Sequence, residues 1–141
     1  MKRMASMLVM AGFFAFAGCG GGNDGGVNLN GTWSGSETLV LTTGTGLSIG
    51  QTNVYDLGPL HESNGQVQGE RGLTGTLSGN MFTFSRPDYD AGFLKDRSWG
   101  EATLAGDTMT GTTYGERRWY GVQAFRGTQT WQYSFTLHRL D

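Results

Sequence analysis

A candidate nucleophile lies at Ser48, within the pattern Gly46-Leu47-Ser48-Ile49-Gly50. A serine between glycines at this spacing is reactive when it sits on a sharp strand-to-helix turn of a large α/β sheet and a histidine follows later. No helical pattern follows Gly50, and 141 residues are too few for such a sheet. The same glycines also miss the spacing of a dinucleotide-binding loop. The sequence therefore favours a glycine-rich loop here and predicts neither a catalytic serine nor a cofactor.

A candidate cation site lies at Asp88-Tyr89-Asp90, which resembles the opening of a calcium loop but lacks the later acidic ligands. We expect a solvated loop with local ion pairs here, with a weak cation site as the alternative. The two histidines, His61 and His138, are expected to face solvent rather than to act as bases or ligands. A single cysteine excludes a cysteine-based zinc site and an internal disulfide framework. The sequence therefore predicts no metal site and no enzyme.

The single cysteine, Cys19, follows an apolar run. Met1-Lys2-Arg3 is basic, and residues 4–17 contain only Ser6 as a polar residue. A run of this length is too short to span a bilayer comfortably, and a basic start followed by such a run is typical of an export signal. The run ends in Phe16-Ala17-Gly18-Cys19, which resembles the lipobox of bacterial lipoproteins, with Phe16 at the position that usually holds leucine.

This resemblance implies cleavage before Cys19, acylation of Cys19 and anchoring in an envelope membrane. It divides the chain into a signal peptide (1–18), an acylated cysteine with a glycine-rich linker (19–26) and a folded domain (27–141). Gly20, which is not aspartate, favours the outer membrane over the inner one by the rule of enteric bacteria. Two alternatives stay open: Ala15-Phe16-Ala17 also fits ordinary signal peptidase, which releases a soluble secreted protein, or Cys19 is incidental.

The net charge of the chain argues against nucleic acid as a partner. The whole chain has a formal net charge of −2, and removal of residues 1–18 leaves eight basic and twelve acidic side chains. No basic patch for nucleic acid is visible. A polybasic membrane patch is also absent from the sequence, so a lipid on Cys19 must itself hold the protein to the membrane.

Threonine, glycine and aromatic residues dominate from Val27 onward, which is typical of strands and tight turns. A hairpin turn at Gly79-Asn80 places Leu77 opposite Phe82 and Gly75 opposite Phe84, so that one face is apolar and the other polar. Similar turn signals occur at Asn64-Gly65 and Gly106-Asp107.

The first and last segments of the domain also alternate between apolar and polar residues. One face of the last segment holds Trp131, Tyr133, Phe135 and Leu137, and one face of the first holds Trp33, Gly35, Glu37, Leu39 and Leu41. We expect an all-β domain of about eight strands, with one longer connection over residues 86–98. Consecutive hairpins favour a small antiparallel up-and-down β-barrel, with a β-sandwich as the alternative.

Gly31-Thr32-Trp33 opens the first strand with a Gly-x-Trp sequence that resembles the calycin superfamily, which includes the lipocalins. In that superfamily an arginine or lysine near the end of the last strand packs over this tryptophan and closes the barrel. The resemblance implies a lipocalin-like barrel closed by Trp33 and Arg139. Arg139 lies two residues after Leu137, so strand alternation places it on the same inward face.

A ligand could bind among the inward aromatic residues of such a barrel. The candidate ligand-binding residues are Trp33, Glu37, Phe82, Phe84, Trp131, Tyr133 and Phe135. Glu37 is open to three interpretations: a bulge turns it outward, it pairs with an inward arginine, or it lines a wet cavity. We expect an envelope-anchored lipoprotein that binds a small apolar ligand; the alternative is a structural or assembly role in which it binds an envelope protein and the barrel holds no ligand.

Overall fold

The computed structural model describes residues 27–44, 46–120 and 127–141. The segments expected to form a signal peptide (1–18) and an acylated cysteine with its linker (19–26) lie outside these described residues. The described chain forms nine antiparallel strands and a 3-10 turn at Glu70–Gly72. The strands are β1 (Gly31–Thr42), β2 (Thr52–Ser63), β3 (Gln66–Gly69), β4 (Thr74–Ser78), β5 (Met81–Ser85), β6 (Tyr89–Asp90), β7 (Leu94–Ala105), β8 (Thr108–Trp119) and β9 (Thr128–Arg139).

Eight of these strands close into a ring. The order runs β5-β4-β3-β2-β1-β9-β8-β7, and β5 pairs with β7 to complete it. The short β6 lies outside the ring and pairs with Asp96 and Lys95 of β7. Apart from the β1–β9 pair, which joins the ends of the chain, and the β5–β7 pair, which skips the short β6, neighbours in the ring follow one another along the chain. This is the up-and-down closure expected from the hairpin pattern, and the sandwich alternative does not apply. No helix in the described ranges is long and apolar enough to cross a membrane.

The hairpin register read from the sequence is confirmed. Leu77 pairs with Phe82 and Gly75 with Phe84 across the β4–β5 hairpin. Gly79 takes a φ of +61° in its turn, which a glycine adopts without the steric penalty of a side chain. The inward side chains of this hairpin are buried or half-buried and the outward ones are exposed, as single-sided patterning requires.

The apolar core fills one end of the ring, which we call the base. Trp33 and Arg139 lie there, together with the described N-terminal segment, whose Leu29 is fully buried. The buried core consists of Leu29, Trp33, Leu57, Leu60, Val67, Leu73, Phe82, Phe84, Ala102, Leu104, Met109, Phe135 and Leu137. Inward glycines make space for the larger rings: a Cβ on Gly100 would lie 2.4 Å from Cζ of Phe84. Aromatic rings therefore lie close against the opposite wall, which allows a small barrel to hold several of them.

Two sequence expectations are corrected. Leu41 does not share the inward face of Leu39, because the β1–β9 register shifts between these residues; the bulge turns Leu41 outward and leaves it 55% exposed. The long connection expected over residues 86–98 is also partly strand. β7 already begins at Leu94, because Leu94–Ser98 pairs with the far end of β8.

The ring has walls of unequal height. β1, β2, β7, β8 and β9 have 12 residues each, whereas β3, β4 and β5 have four or five. β3 pairs only with Leu60–Ser63 of β2, and β5 only with Trp99–Thr103 of β7. The upper parts of β2 and β7 therefore flank a gap above the short strands. The end of the ring on that side, opposite the base, is called the mouth.

Candidate functional site

The base is closed by a contact between Trp33 and Arg139. These residues are cross-strand partners of β1 and β9, and the Arg139 guanidinium carbon lies 5.0 Å from the centre of the Trp33 ring. The Trp33 indole N–H donates to the Leu29 carbonyl at 2.9 Å, so its polar atom is satisfied although the ring is fully buried. The expected contact between these two side chains is thus confirmed.

Arg139 also fastens the N-terminal segment. Its Nη1 donates to the Asn30 carbonyl at 3.0 Å, and Nη2 donates to the Asn28 carbonyl. Its Nε lies 3.1 Å from an Asp107 carboxylate oxygen and forms an ion pair with it. The geometry does not allow the buried Nε–H to donate a hydrogen bond to that oxygen. The segment that enters the barrel is therefore held against the last strand.

A cavity of about 210 Å³ lies on the mouth side of the core. It opens beside the gap between β2 and β7 and contains both aromatic and charged groups. Its lining residues are Glu37, Tyr55, Phe84, Arg86, Ser98, Trp99, Thr113, Tyr114, Trp131 and Tyr133. The barrel is thus packed at its base and open above it.

The structure divides the sequence-derived candidates into two groups. Four of them line this cavity: Glu37, Phe84, Trp131 and Tyr133. The other three, Trp33, Phe82 and Phe135, are at most 4% exposed and belong to the packed core below it. Strand alternation identifies inward side chains, but it does not tell which of them lie above the packed layers.

Glu37 faces the interior. The pairing of β1 with both neighbours is regular from Ser34 to Thr38, so no bulge turns the Glu37 side chain outward. Burial raises the pKa of its carboxyl above the usual range, and the positive charge of Arg86 partly opposes this shift. Glu37 is therefore an inward carboxylate on the cavity wall, and its charged form is poorly solvated.

Arg86 was not singled out from the sequence as a site residue. It follows β5, where its N–H donates to the Ser98 carbonyl of β7 at 3.1 Å. Its Nη2 reaches the Asp56 carbonyl of β2 at 3.5 Å. Arg86 therefore bridges the two sides of the gap and places a positive charge at the cavity. The sequence carried a signal for this, because Arg86 continues the alternation of Phe82 and Phe84.

Tyr55 is the second residue that sequence reasoning missed. Its ring centre lies 5.4 Å from that of Phe135, so the phenol stands on the top layer of the core. Burial raises the pKa of Tyr55 to about 12; the nearby positive charge of Arg86 opposes the shift, and the charge of Glu37 adds to it. The Tyr55 phenol thus stays protonated between the two charged groups of the cavity.

An ion pair between Arg117 and Asp96 lies near the mouth and supports one wall of the cavity. Arg117 donates from Nε and Nη2 to the two carboxylate oxygens of Asp96, both at 2.7 Å. Its guanidinium carbon lies 5.7 Å from the ring centre of Trp119 and 5.9 Å from that of Trp131. A forked ion pair of this kind has a fixed geometry, so it holds the Trp131 ring in place.

The other polar residues considered as chemical sites, Asp88, Asp90 and Ser48, lie outside the cavity. Asp90 lies 3.0 Å from Lys95, and Asp88 lies 3.6 Å from Arg97, which are the local ion pairs that the sequence favoured. Ser48 is exposed in the β1–β2 loop. Among the described residues, no group of three or more His, Cys, Asp or Glu side chains is placed to hold a metal ion.

Comparison of the chain with known proteins found no matching family model, no matching curated protein and no matching solved structure. The candidate site is therefore defined by its own geometry. It combines a carboxylate, a guanidinium and a set of aromatic rings around one small cavity. This arrangement suits noncovalent recognition of a small molecule.

Proposed function

We propose that this protein is an envelope-anchored bacterial lipoprotein whose barrel binds a small ligand with a largely apolar body. The cavity above the packed core carries the proposal: it holds about 210 Å³ in a barrel whose other half is filled. The space is lined by inward aromatic rings with two charged groups among them, which is the composition of a small-molecule site. The Gly-x-Trp and arginine contact at the base supports a lipocalin-like construction.

The cavity volume limits the size of the ligand. An engineered cavity of about 150 Å³ accepts benzene, whereas sites for drug-sized ligands hold roughly 300–1,000 Å³. A cavity of about 210 Å³ therefore fits one ring with a short substituent, or two fused rings. A long acyl chain does not fit, because the space below is occupied by residues such as Phe82 and Leu137.

The ligand proposal is tested by filling the cavity. Ser98 lines it, and Ser134 is exposed on β9, so Ser98→Phe and Ser134→Phe are matched substitutions inside and outside the barrel. Native mass spectrometry of the protein purified from its own cells should show a retained small molecule in the wild type and in Ser134→Phe, and none in Ser98→Phe. Equal apo masses for all three proteins contradict ligand binding.

The anchor is proposed from the lipobox-like sequence ending at Cys19. We expect the outer membrane rather than the inner one, with a secreted soluble protein as the alternative. Metabolic labelling with palmitate should mark the wild type and leave Cys19→Ala unlabelled. An unlabelled wild type in the culture medium favours the secreted form.

A partner-binding role is a second candidate, supported by exposed aromatic residues near the mouth. Phe93 and Tyr120 are 61% and 45% exposed, and the Tyr120 N–H donates to the Phe93 carbonyl at 2.8 Å. This pair could contact an envelope protein. Crosslinked pull-downs with the wild type and with Phe93→Ser should then differ in specific partners; identical recoveries argue against this role.

A further inference from the structure

We propose that the ligand of the cavity is a small aromatic zwitterion, of the chemical class of the aromatic α-amino acids, with Glu37 receiving its ammonium group and Arg86 its carboxylate. This inference rests on the proposed ligand-binding function and specifies the ligand. It is drawn from the charges, the aromatic rings and the volume of the cavity.

The first argument is the placement of the two charges. Glu37 projects from β1 and Arg86 follows β5, and both line the same cavity. Within the described part of the chain no direct ion pair joins them, although each lies in the other's electrostatic field. Opposite charges that line one cavity without pairing with each other leave two positions that the charged groups of a ligand can fill. A ligand with one positive and one negative group fills both.

The second argument is the aromatic lining. Trp131 and Tyr133 belong to β9, next to β1, and lie on the same wall as Glu37. Aromatic faces accept the ring of a ligand by offset or edge-to-face contact, and they also attract an ammonium group. The ammonium position is therefore favoured by a carboxylate and by nearby rings together, while the ligand ring packs above Phe84.

The third argument excludes neighbouring ligand classes. A ligand with only a carboxylate meets the repulsion of Glu37, and a ligand with only an ammonium meets that of Arg86. A neutral hydrocarbon leaves the partly buried Glu37 carboxylate without a positive partner in the cavity and offers the Arg86 guanidinium no negative one. Only a molecule that carries both groups on a compact aromatic body satisfies the whole lining within about 210 Å³.

The experiment uses four probes that share a phenylethyl body and differ in its charged groups: phenylalanine (both groups), phenethylamine (ammonium only), 3-phenylpropionate (carboxylate only) and ethylbenzene (neither). Binding to the full-length protein in lipid nanodiscs is measured by calorimetry at neutral pH, and empty nanodiscs correct for partitioning. Phenylalanine should bind roughly tenfold or more tightly than each of the other three probes, since a hydrogen bond to a charged group contributes at least that factor.

Two variants assign the charged groups to their partners. Glu37→Gln should weaken phenylalanine and phenethylamine binding roughly tenfold and leave 3-phenylpropionate unchanged or tighter. Arg86→Gln should weaken phenylalanine and 3-phenylpropionate binding roughly tenfold and leave phenethylamine unchanged or tighter. The controls are Glu101→Gln and Arg71→Gln, whose side chains are exposed and do not line this cavity. If circular dichroism shows that Arg86→Gln does not fold, the opposite effects of Glu37→Gln on the amine and acid probes decide the question.

The outcomes separate this inference from the function on which it rests. Preference for phenylalanine with opposite effects of the two variants supports the zwitterion. Equal binding of all four probes, or tightest binding of ethylbenzene, overturns it and leaves an apolar binding protein. Absence of binding for every probe overturns it as well. The proposed function itself fails only if the mass-spectrometric comparison of Ser98→Phe with Ser134→Phe also finds no retained molecule.

Discussion

The guanidinium of Arg139 lies over the buried ring of Trp33, 5.0 Å from its centre, at the point where the last strand pairs with the first. The same guanidinium binds the carbonyls of Asn28 and Asn30. One side chain therefore joins the closing pair of strands to the segment that enters the barrel.

Replacement of Arg139 by methionine should lower the free energy of unfolding by about 2–3 kcal/mol, because charged hydrogen bonds and the cation–π contact are lost together. Urea denaturation followed by tryptophan fluorescence measures this change. Arg97→Met is the control, since Arg97 makes only an exposed ion pair, and its effect should stay within about 0.5 kcal/mol. Similar losses in both variants contradict the role of Arg139.

Replacement of Gly100 by alanine should destabilise the protein by about 1–3 kcal/mol, because the new methyl group overlaps the Phe84 ring. Thermal unfolding measures the effect. Gly127→Ala is the matched control, since a Cβ at Gly127 meets no atom of the described residues within 4 Å. A neutral Gly100→Ala shows that the Phe84 ring can move without loss and that the upper core is loosely packed.

Glu37→Gln should change how stability depends on pH. The pKa of Glu37 is raised by burial, so its contribution is fully present below its ordinary pKa of 4.5 and is lost as pH rises through the folded value. The variant should therefore gain stability relative to the wild type at neutral pH and not below pH 4.5. Denaturation midpoints at both pH values, with Glu101→Gln as the exposed control, measure this; a difference that does not depend on pH contradicts the buried carboxylate.

Tyr55→Phe should remove an alkaline loss of stability. The pKa of Tyr55 is raised by burial to about 12, so the stabilising contribution of the neutral phenol is complete below pH 10 and is lost toward pH 12. Ultraviolet titration of tyrosinate in the folded protein should lack the highest transition in Tyr55→Phe. Tyr89→Phe, at an exposed position, should keep that transition. If both variants titrate alike, the Tyr55 phenol is not buried as described.

The alternation of apolar and polar residues was sufficient to predict hairpin pairings in the barrel wall. Leu77 and Phe82 could be paired from the sequence because a two-residue turn fixes the register of its flanking strands. The same reasoning failed at Leu41, because a bulge adds one residue and reverses the faces beyond it. Nothing in the local composition around Val40 distinguishes that bulge from continuous strand.

The cavity could be predicted only in part, because it depends on pairings between distant strands. Glu37 and Tyr133 were identified as inward residues, but Tyr55 and Arg86 reach the same space through the β1–β2 pairing and the closure of β5 on β7. In β2, the register shift near Leu57 and the sequence Gly58-Pro59 interrupt the alternation that would have marked Tyr55. Short-range patterns carry no information on which distant walls face each other.

The entry of the chain at the base sets the orientation of a lipid-anchored protein. Eight residue steps separate Cys19 from Val27, and an extended chain covers at most about 3.6 Å per step, or about 29 Å. A 12-residue strand tilted by about 40° rises roughly 30 Å along the barrel axis. With its lipid on Cys19, as proposed, a tether of at most about 29 Å would have to run fully extended along the wall to bring the mouth near the bilayer. The proposed anchor would then hold the base toward the bilayer, and a ligand of the proposed kind would reach the mouth from the aqueous side.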